Sequence, residues 1–199
     1  MRLFSLWCPS VGSQPCAGHG IVEFMMLSKE STLFSAVVAA PFGAIGIRTQ
    51  DQAISELVYL PPRFAEKDAT DKVAAKAQKQ IEKYLQQPDF RFKLPLQQVG
   101  TDFQRKVWAV IAAIPQGEVW TYGQIAKHIK SAPRAVGQAC GANWFPLVIP
   151  CHRVTAAGGL GGFGHTDDES SFHIGVKLWL LQHEGVSTYS PVIAPKKAK

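Results

Sequence analysis

Two reciprocal helix caps constrain the second half of this chain. Thr101 is followed by Gln104, and Thr121 by Gln124. In such a pair the Thr hydroxyl accepts from the backbone N–H three residues on, and the Gln side-chain oxygen accepts from the N–H of the Thr. The first box opens a helix with Phe103, Val107, Val110, Ile111 and Ile114 on its buried side, ended by Pro115 and Gly117. The second opens a short helix through Ile129, and Ser131 with Pro133 opens a third over residues 134–142. Two short helices joined by a tight turn have the form of a helix-turn-helix, a form that ordinary helical hairpins share. A last helix, residues 174–183, carries Val176, Trp179 and Leu180 on one face and ends at Glu184 and Gly185.

The first half follows a different period. Residues 32–39, 42–49 and 53–60 are apolar or alternating runs, punctuated by Pro41, Gly43, Gln50 and Asp51, which predicts an antiparallel meander. Residues 69–87 read as a helix, with Val73, Ala77, Ile81 and Leu85 recurring every four residues and Pro88 closing it. A short strand over residues 92–96 is expected to return to the sheet, and residues 97–100 form a linker. The fold class is therefore α+β, with an amino-terminal α/β domain over residues 26–96 and a mainly helical domain over residues 97–188. Residues 1–25 have no period and are expected to be a disordered leader, or the product of a misassigned start. Residues 189–199 are expected to be a disordered basic tail. Cys8, Cys16 and His19 are three possible zinc ligands, but their spacing is irregular and no fourth ligand is evident. No metal and no cofactor are expected.

Charge narrows the partner. The net charge is +6, which fits a polyanion without requiring one. Its distribution says more: residues 119–166 contain no Asp or Glu, yet hold Lys127, Lys130, Arg134 and Arg153. A carboxylate-free face suits a phosphate backbone. The apolar start at residues 3–7 is too short for a signal core, and nothing approaches the length of a membrane span. A cytoplasmic protein with free thiols is expected, a monomer without a membrane or an obligate protein partner.

The chemistry points to one cysteine. Leu147, Val148 and Ile149 form an apolar run followed by Pro150-Cys151-His152-Arg153-Val154. A cysteine is by default a small buried hydrophobe. Here His152 is adjacent, acids are absent from the neighbouring sequence, and Gly158, Gly159, Gly161, Gly162 and Gly164 form a loop that lets backbone approach a ligand. Such surroundings are expected to lower the thiol pKa toward neutrality and expose the thiolate. If Glu184 accepts an imidazole N–H, His152 can take the proton of Cys151 directly or through a water. The alternative for Glu184 is a solvated helix end. A cysteine hydrolase could use the same three groups. A sequence-specific transcription factor is disfavoured, because Arg134 and Gln138 are nearly the only long polar side chains on the third helix.

Taken together, Pro150 to Val154, the run Arg134-Ala135-Val136-Gly137, Asn143, Pro146, the Gly-Gly-Phe of the loop, and Lys177 with residues 179–185 resemble the alkylguanine-DNA alkyltransferase family. The resemblance is close over residues 99–186 and looser over residues 26–96. It implies an RNase H-like amino-terminal domain and a helix-turn-helix of winged-helix type. It also implies irreversible, stoichiometric transfer of a methyl or other alkyl group from O6 of guanine, and from O4 of thymine, to Cys151. Double-stranded DNA would be held through the minor groove with the damaged base flipped out. By the same resemblance His152 is the base, Glu184 holds it, and Tyr122 hydrogen-bonds the base and protonates it as it leaves. Arg134 fills the vacated stack, while Ala135, Gln138 and Gly141 contact DNA. Asn143 ties the turn before an active-site strand. The backbone of Cys151 and Val154 reads the guanine amino group, and Pro146, Phe163 and Gly164 wall the alkyl pocket with Lys177 in support. Gly164 stands where many members of that family carry serine. Residues 165–173 read as a surface loop, with a substrate-shaping flap as the other reading.

Overall fold

The computed structural model describes residues 33–164, 166–168 and 170–188. Cys8, Cys16 and His19, and the expected leader and basic tail, lie outside the described residues. The expected meander is present as β1 (Ala36–Ala40), β2 (Gly43–Gln50) and β3 (Ala53–Leu60), all antiparallel in the order β1-β2-β3. Asp51 and Gln52 both take positive φ, 50° and 60°, which matches the twist of a two-residue hairpin. Gly43 is demanded by space: its φ is +142°, and a Cβ there would meet Leu60 O at 2.3 Å.

Helix α1 (Lys72–Gln86) packs on this sheet. It starts later than the periodicity suggests because Asp71 caps it, accepting from the backbone N–H of Val73 and Ala74 at 2.8 Å each. Its buried face is Ala74, Ala77, Ile81 and Tyr84, with Val73 and Leu85 at the margin. The strand expected over residues 92–96 does not form. Leu96 makes one parallel bridge to Ile54, with Ile54 N–H donating to Pro95 O at 2.8 Å and Gln97 N–H to Ile54 O at 2.9 Å. Pro95 has no N–H to extend the ladder.

Both capping boxes form. α2 (Asp102–Ala112) follows Thr101, and α3 (Tyr122–Ile129) follows Thr121. Lys130 ends α3 in the left-handed region, φ 57° and ψ 56°, and α4 (Pro133–Gly141) begins with Pro133 and no side-chain cap. Ser131 is therefore part of the turn and does not cap α4. Two-residue strands β4 (Trp120–Thr121) and β5 (Val154–Thr155) pair in parallel and set the start of α3 beside the segment that follows Cys151. α5 (Phe172–His183) closes the chain, capped by Ser171. One buried cluster runs from Ile45 and Ile54 of the sheet through Ile81, Val107 and Ile125 to Leu180, so both halves share a core. No described helix is long and apolar enough to cross a membrane.

The orientation of α4 depends on a buried bond: Trp108 Nε1 donates to Ala139 O at 2.8 Å. Trp108→Phe keeps an aromatic ring but leaves that carbonyl unpaired, and should cost about 1–3 kcal/mol in denaturant unfolding. A loss below about 0.5 kcal/mol would show that the bond does not hold α4.

Candidate active site

The approach to Cys151 is made of turns, and the expected active-site strand is absent. Three local bonds explain this. Asn143 Nδ2 donates to Ile149 O at 2.8 Å, Asn143 Oδ1 accepts from Phe145 N–H at 3.0 Å, and Cys151 N–H donates to Ile149 O at 2.8 Å. Leu147 takes φ 72° inside this compact path. Cys151 then opens a single 3-10 turn, Cys151–Arg153, so consecutive side chains point in different directions. Asn143 thus ties the turn as expected, and it also reaches the thiol: Nδ2 donates to Cys151 Sγ at 3.2 Å.

His152 is fully buried and meets Glu184 Oε1 through Nε2 at 3.0 Å. Glu184 is no solvated helix end. It is 2% exposed and accepts from Arg153 Nε at 2.8 Å, Arg153 Nη2 at 2.9 Å and Tyr84 Oη at 2.7 Å. Burial opposes its ionisation, but the bonds from His152 and Arg153 outweigh it and hold the carboxyl down at about 2. The bidentate guanidinium also answers the helix dipole, which disfavours a carboxylate at the end of α5. Two of these partners were not singled out in the sequence. Arg153 stands in the motif and in the basic stretch without a role of its own, and Tyr84 belongs to a helix of the other half, where the local pattern marks it as nothing but core.

The thiol does not follow the expectation of a lowered pKa and an exposed thiolate. Cys151 is 7% exposed, and burial pushes its pKa up, against the Asn143 bond and the positive charge of Lys177. The sequence neighbourhood lacks acids, but burial of the thiol outweighs that absence. Burial likewise pulls the His152 pKa down, and Glu184 pulls the other way. Lys177 is fully buried and donates to Val154 O, Leu160 O and Gly162 O at 2.8, 2.7 and 3.1 Å. Burial brings its pKa down to about 8, although the nearby thiols favour its charge. It fastens the glycine loop to β5 from behind.

A cleft of about 690 Å³ opens over the thiol. Of the residues expected to line the site, Tyr122, Arg134, Gln138, Gly141, Cys151, Phe163 and Gly164 do so. Pro146, Val154 and Lys177 are buried and do not line it, and Ala135 is half-buried on α4. Tyr122 Oη donates to Gly162 O at 3.1 Å, and burial raises its pKa. Gly164 has φ +59°, and a Cβ there would lie 2.6 Å from the His173 ring, so this backbone has no room for serine. Cys140, a thiol the sequence did not recommend, also lines the cleft, and burial followed by the Cys151 charge pushes its pKa up to about 12. Thr166 and Asp167 join the wall, so the loop after Gly164 is more than passive surface.

This arrangement has close relatives. Residues 102–186 match the family model described as 6-O-methylguanine DNA methyltransferase, DNA binding domain. A methylated-DNA--protein-cysteine methyltransferase of Methanosarcina acetivorans is 31% identical over 164 residues, covering 77% of this chain and 99% of that protein. The chain belongs to the O6-methylguanine-DNA methyltransferase family. A probable methylated-DNA--protein-cysteine methyltransferase of Acanthamoeba polyphaga mimivirus is 42% identical over 111 residues, covering 54% of this chain and 70% of that protein. Among solved structures, Mycobacterium tuberculosis OGT in complex with DNA is similar at a TM-score of 0.60 and 32% identity, covering 75% of this chain and 91% of that one. The mixed α/β architecture, a small antiparallel sheet with helices, is the one these methyltransferases share.

The Glu184 network has a pH signature. The folded pKa of Glu184 lies below its unfolded value, so its stabilisation is fully present above about pH 4.3 and is lost as pH falls toward about 2. Glu184→Gln should lower stability at neutral pH and flatten the acid decline over that window, read by tryptophan fluorescence. With less help for an imidazolium, it should also raise the apparent pKa of Cys151 in iodoacetamide labelling. An unchanged labelling profile would reduce Glu184 to a purely structural role.

Proposed function

We propose that this chain is a single-use DNA repair protein that moves a methyl or other alkyl group from O6 of guanine in DNA onto Cys151. The activity is that of a methylated-DNA--protein-cysteine S-methyltransferase, with O4 of thymine as a further substrate. One observation carries the assignment of residues. A buried chain from Tyr84 and Arg153 through Glu184 to His152 lies beside a thiol at the floor of a cleft, and exposed Arg134 and Gln138 of α4 stand at the cleft wall.

The chemistry follows from these groups. Cys151 passes its proton to His152, and the sulfur attacks the saturated alkyl carbon from the side opposite O6. The S–C bond forms as the C–O6 bond breaks, and the electron pair stays on the guanine, which takes a proton from Tyr122 while Tyr122 regains one from solvent. Glu184 stabilises the imidazolium formed at His152. Asn143 holds the sulfur, and Lys177 keeps the loop in place to receive the base. The product is a thioether that neither water nor His152 cleaves, so one molecule repairs one lesion.

Duplex DNA hides O6 in the base stack, so the nucleotide must rotate out first. In our reading α3 and α4 act as a helix-turn-helix of winged-helix type in the minor groove, and the amino-terminal sheet with α1 is RNase H-like. Lesions occur in any sequence, and phosphate contacts with groove shape suffice for such a search. The small residues Ala135, Gly137 and Gly141 permit close approach, while Arg134 fills the gap left by the base. That a relative is solved in complex with DNA supports DNA as the partner.

Cys151→Ala deletes only a sulfur and should keep duplex affinity while abolishing transfer. Intact mass with excess methylated duplex should show about one methyl increment per wild-type molecule. Activity persisting in the variant would move the acceptor to Cys140, and repeated turnover would favour a hydrolase. Arg134→Ala should slow repair of duplex at least about tenfold and leave reaction with free O6-alkylguanine nearly unchanged, because the free base needs no unstacking. Equal losses on both substrates would place Arg134 in the pocket architecture instead.

A further inference from the structure

Three buried side-chain atoms among the described residues have no hydrogen-bond partner in the protein: Tyr59 Oη, His152 Nδ1 and Thr155 Oγ1. Interiors satisfy such atoms with ordered water where protein groups do not. His152 Nδ1 belongs to the ring whose other nitrogen is held by Glu184. Tyr59 comes from β3, outside the matched residues 102–186. Its ring packs against Phe42 at 5.7 Å and Phe163 at 5.8 Å between centroids, and Phe163 walls the cleft with Cys151. β3 is pinned to the site, since Leu57 N–H donates to Trp144 O at 2.9 Å, next to the Asn143 that holds the thiol. Burial, then the charges of Cys151, Tyr84 and Glu184, raise the Tyr59 pKa well above its ordinary value. Tyr59 thus packs on the Phe163 wall of the cleft that holds Cys151, and burial keeps its hydroxyl protonated as a donor.

We propose that Tyr59 is a positioning residue for proton transfer, its hydroxyl holding the water that carries the Cys151 proton to His152 Nδ1. The proposal rests on Cys151 as nucleophile and His152 as base. Accepting from Tyr59, the water keeps one hydrogen on Nδ1 and a lone pair toward the thiol. It takes the proton from sulfur as it gives its own to Nδ1, leaving a thiolate, an imidazolium and an unchanged water. The hydroxyl is neither consumed nor ionised.

The test compares wild type, Tyr59→Phe and a chain with ring-fluorinated tyrosine at position 59. The readouts are single-turnover methyl transfer from duplex and the pH profile of Cys151 labelling by iodoacetamide. Tyr59→Phe keeps the ring against Phe42 and Phe163. It should slow transfer at neutral pH about tenfold and move the labelling midpoint up by about one pH unit, with duplex affinity unchanged. Fluorotyrosine, which retains the hydroxyl, should restore the wild-type rate. Removing a hydroxyl that does nothing would leave rate and midpoint unchanged and raise the melting temperature, and that result overturns the proposal. A slow Tyr59→Phe that fluorotyrosine does not rescue overturns it as well. Absence of transfer in the wild type would instead overturn the assignment of Cys151, a separate failure.

Discussion

The Glu184 carboxylate holds this molecule's two halves and its chemistry in one place. It lies at the end of α5, yet its partners come from α1 through Tyr84 and from the turn after Cys151 through His152 and Arg153. An isolated buried carboxylate is costly, so its ionised state persists only while all these donors stay in position. The packing is reinforced nearby. His183 Nε2 donates to Tyr84 O at 2.8 Å, and Arg153 Nη1 donates to Ile114 O at 2.6 Å. Rotation of the sheet and α1 away from α5 would break the same bonds that orient the base.

That dependence clarifies why the thiol is buried. A cysteine meant for repeated exchange benefits from an exposed, stabilised thiolate. A cysteine that reacts once, with a saturated carbon, has a different requirement. Its sulfur must meet the carbon without a competing hydration shell, and it must not be spent on other electrophiles beforehand. Burial meets both needs but pushes the thiol pKa up, so the charge must be created as it is used. A base held by a permanent anion supplies that, because the imidazolium and thiolate form together beside a carboxylate and a buried lysine.

Local signals in the sequence were reliable where local bonds decide the structure. Both Thr–Gln boxes, the hairpin strands and the helix ending at Glu184 required only nearest neighbours in the chain, and each formed. The active-site strand that the resemblance implies is absent because the path before Cys151 is set by Asn143, whose bonds to Ile149 and Cys151 span several residues and leave no periodicity. Over residues 92–96 the alternation of Phe92, Leu94 and Leu96 points to a strand, but Pro95 within it has no N–H and cuts the ladder to one bridge. At the site, the pairing of His152 with Glu184 was legible in the sequence. The bonds of Tyr84 and Arg153 to Glu184 were not, since each joins distant segments. The thiol pKa is raised for a similar reason: the sequence displays charge along the chain, whereas burial acts in space.

Lys177 shows how far this spatial logic extends. A fully buried lysine is expensive in isolation, and nothing acidic meets its ammonium among the described residues. Its three donors go to the carbonyls of Val154, Leu160 and Gly162, and Gly162 O also accepts from Tyr122 Oη. A glycine-rich loop has the conformational freedom to approach a base closely, and that same freedom would let it collapse or open. One cation anchoring three carbonyls removes the freedom without filling the cleft, because the ammonium reaches the loop from the core side. The positive charge that fixes the loop also faces the sulfur that must become negative. Loop order and thiolate stability are therefore joined in a single residue, and replacing Lys177 with an apolar side chain of similar volume would satisfy the core while losing both.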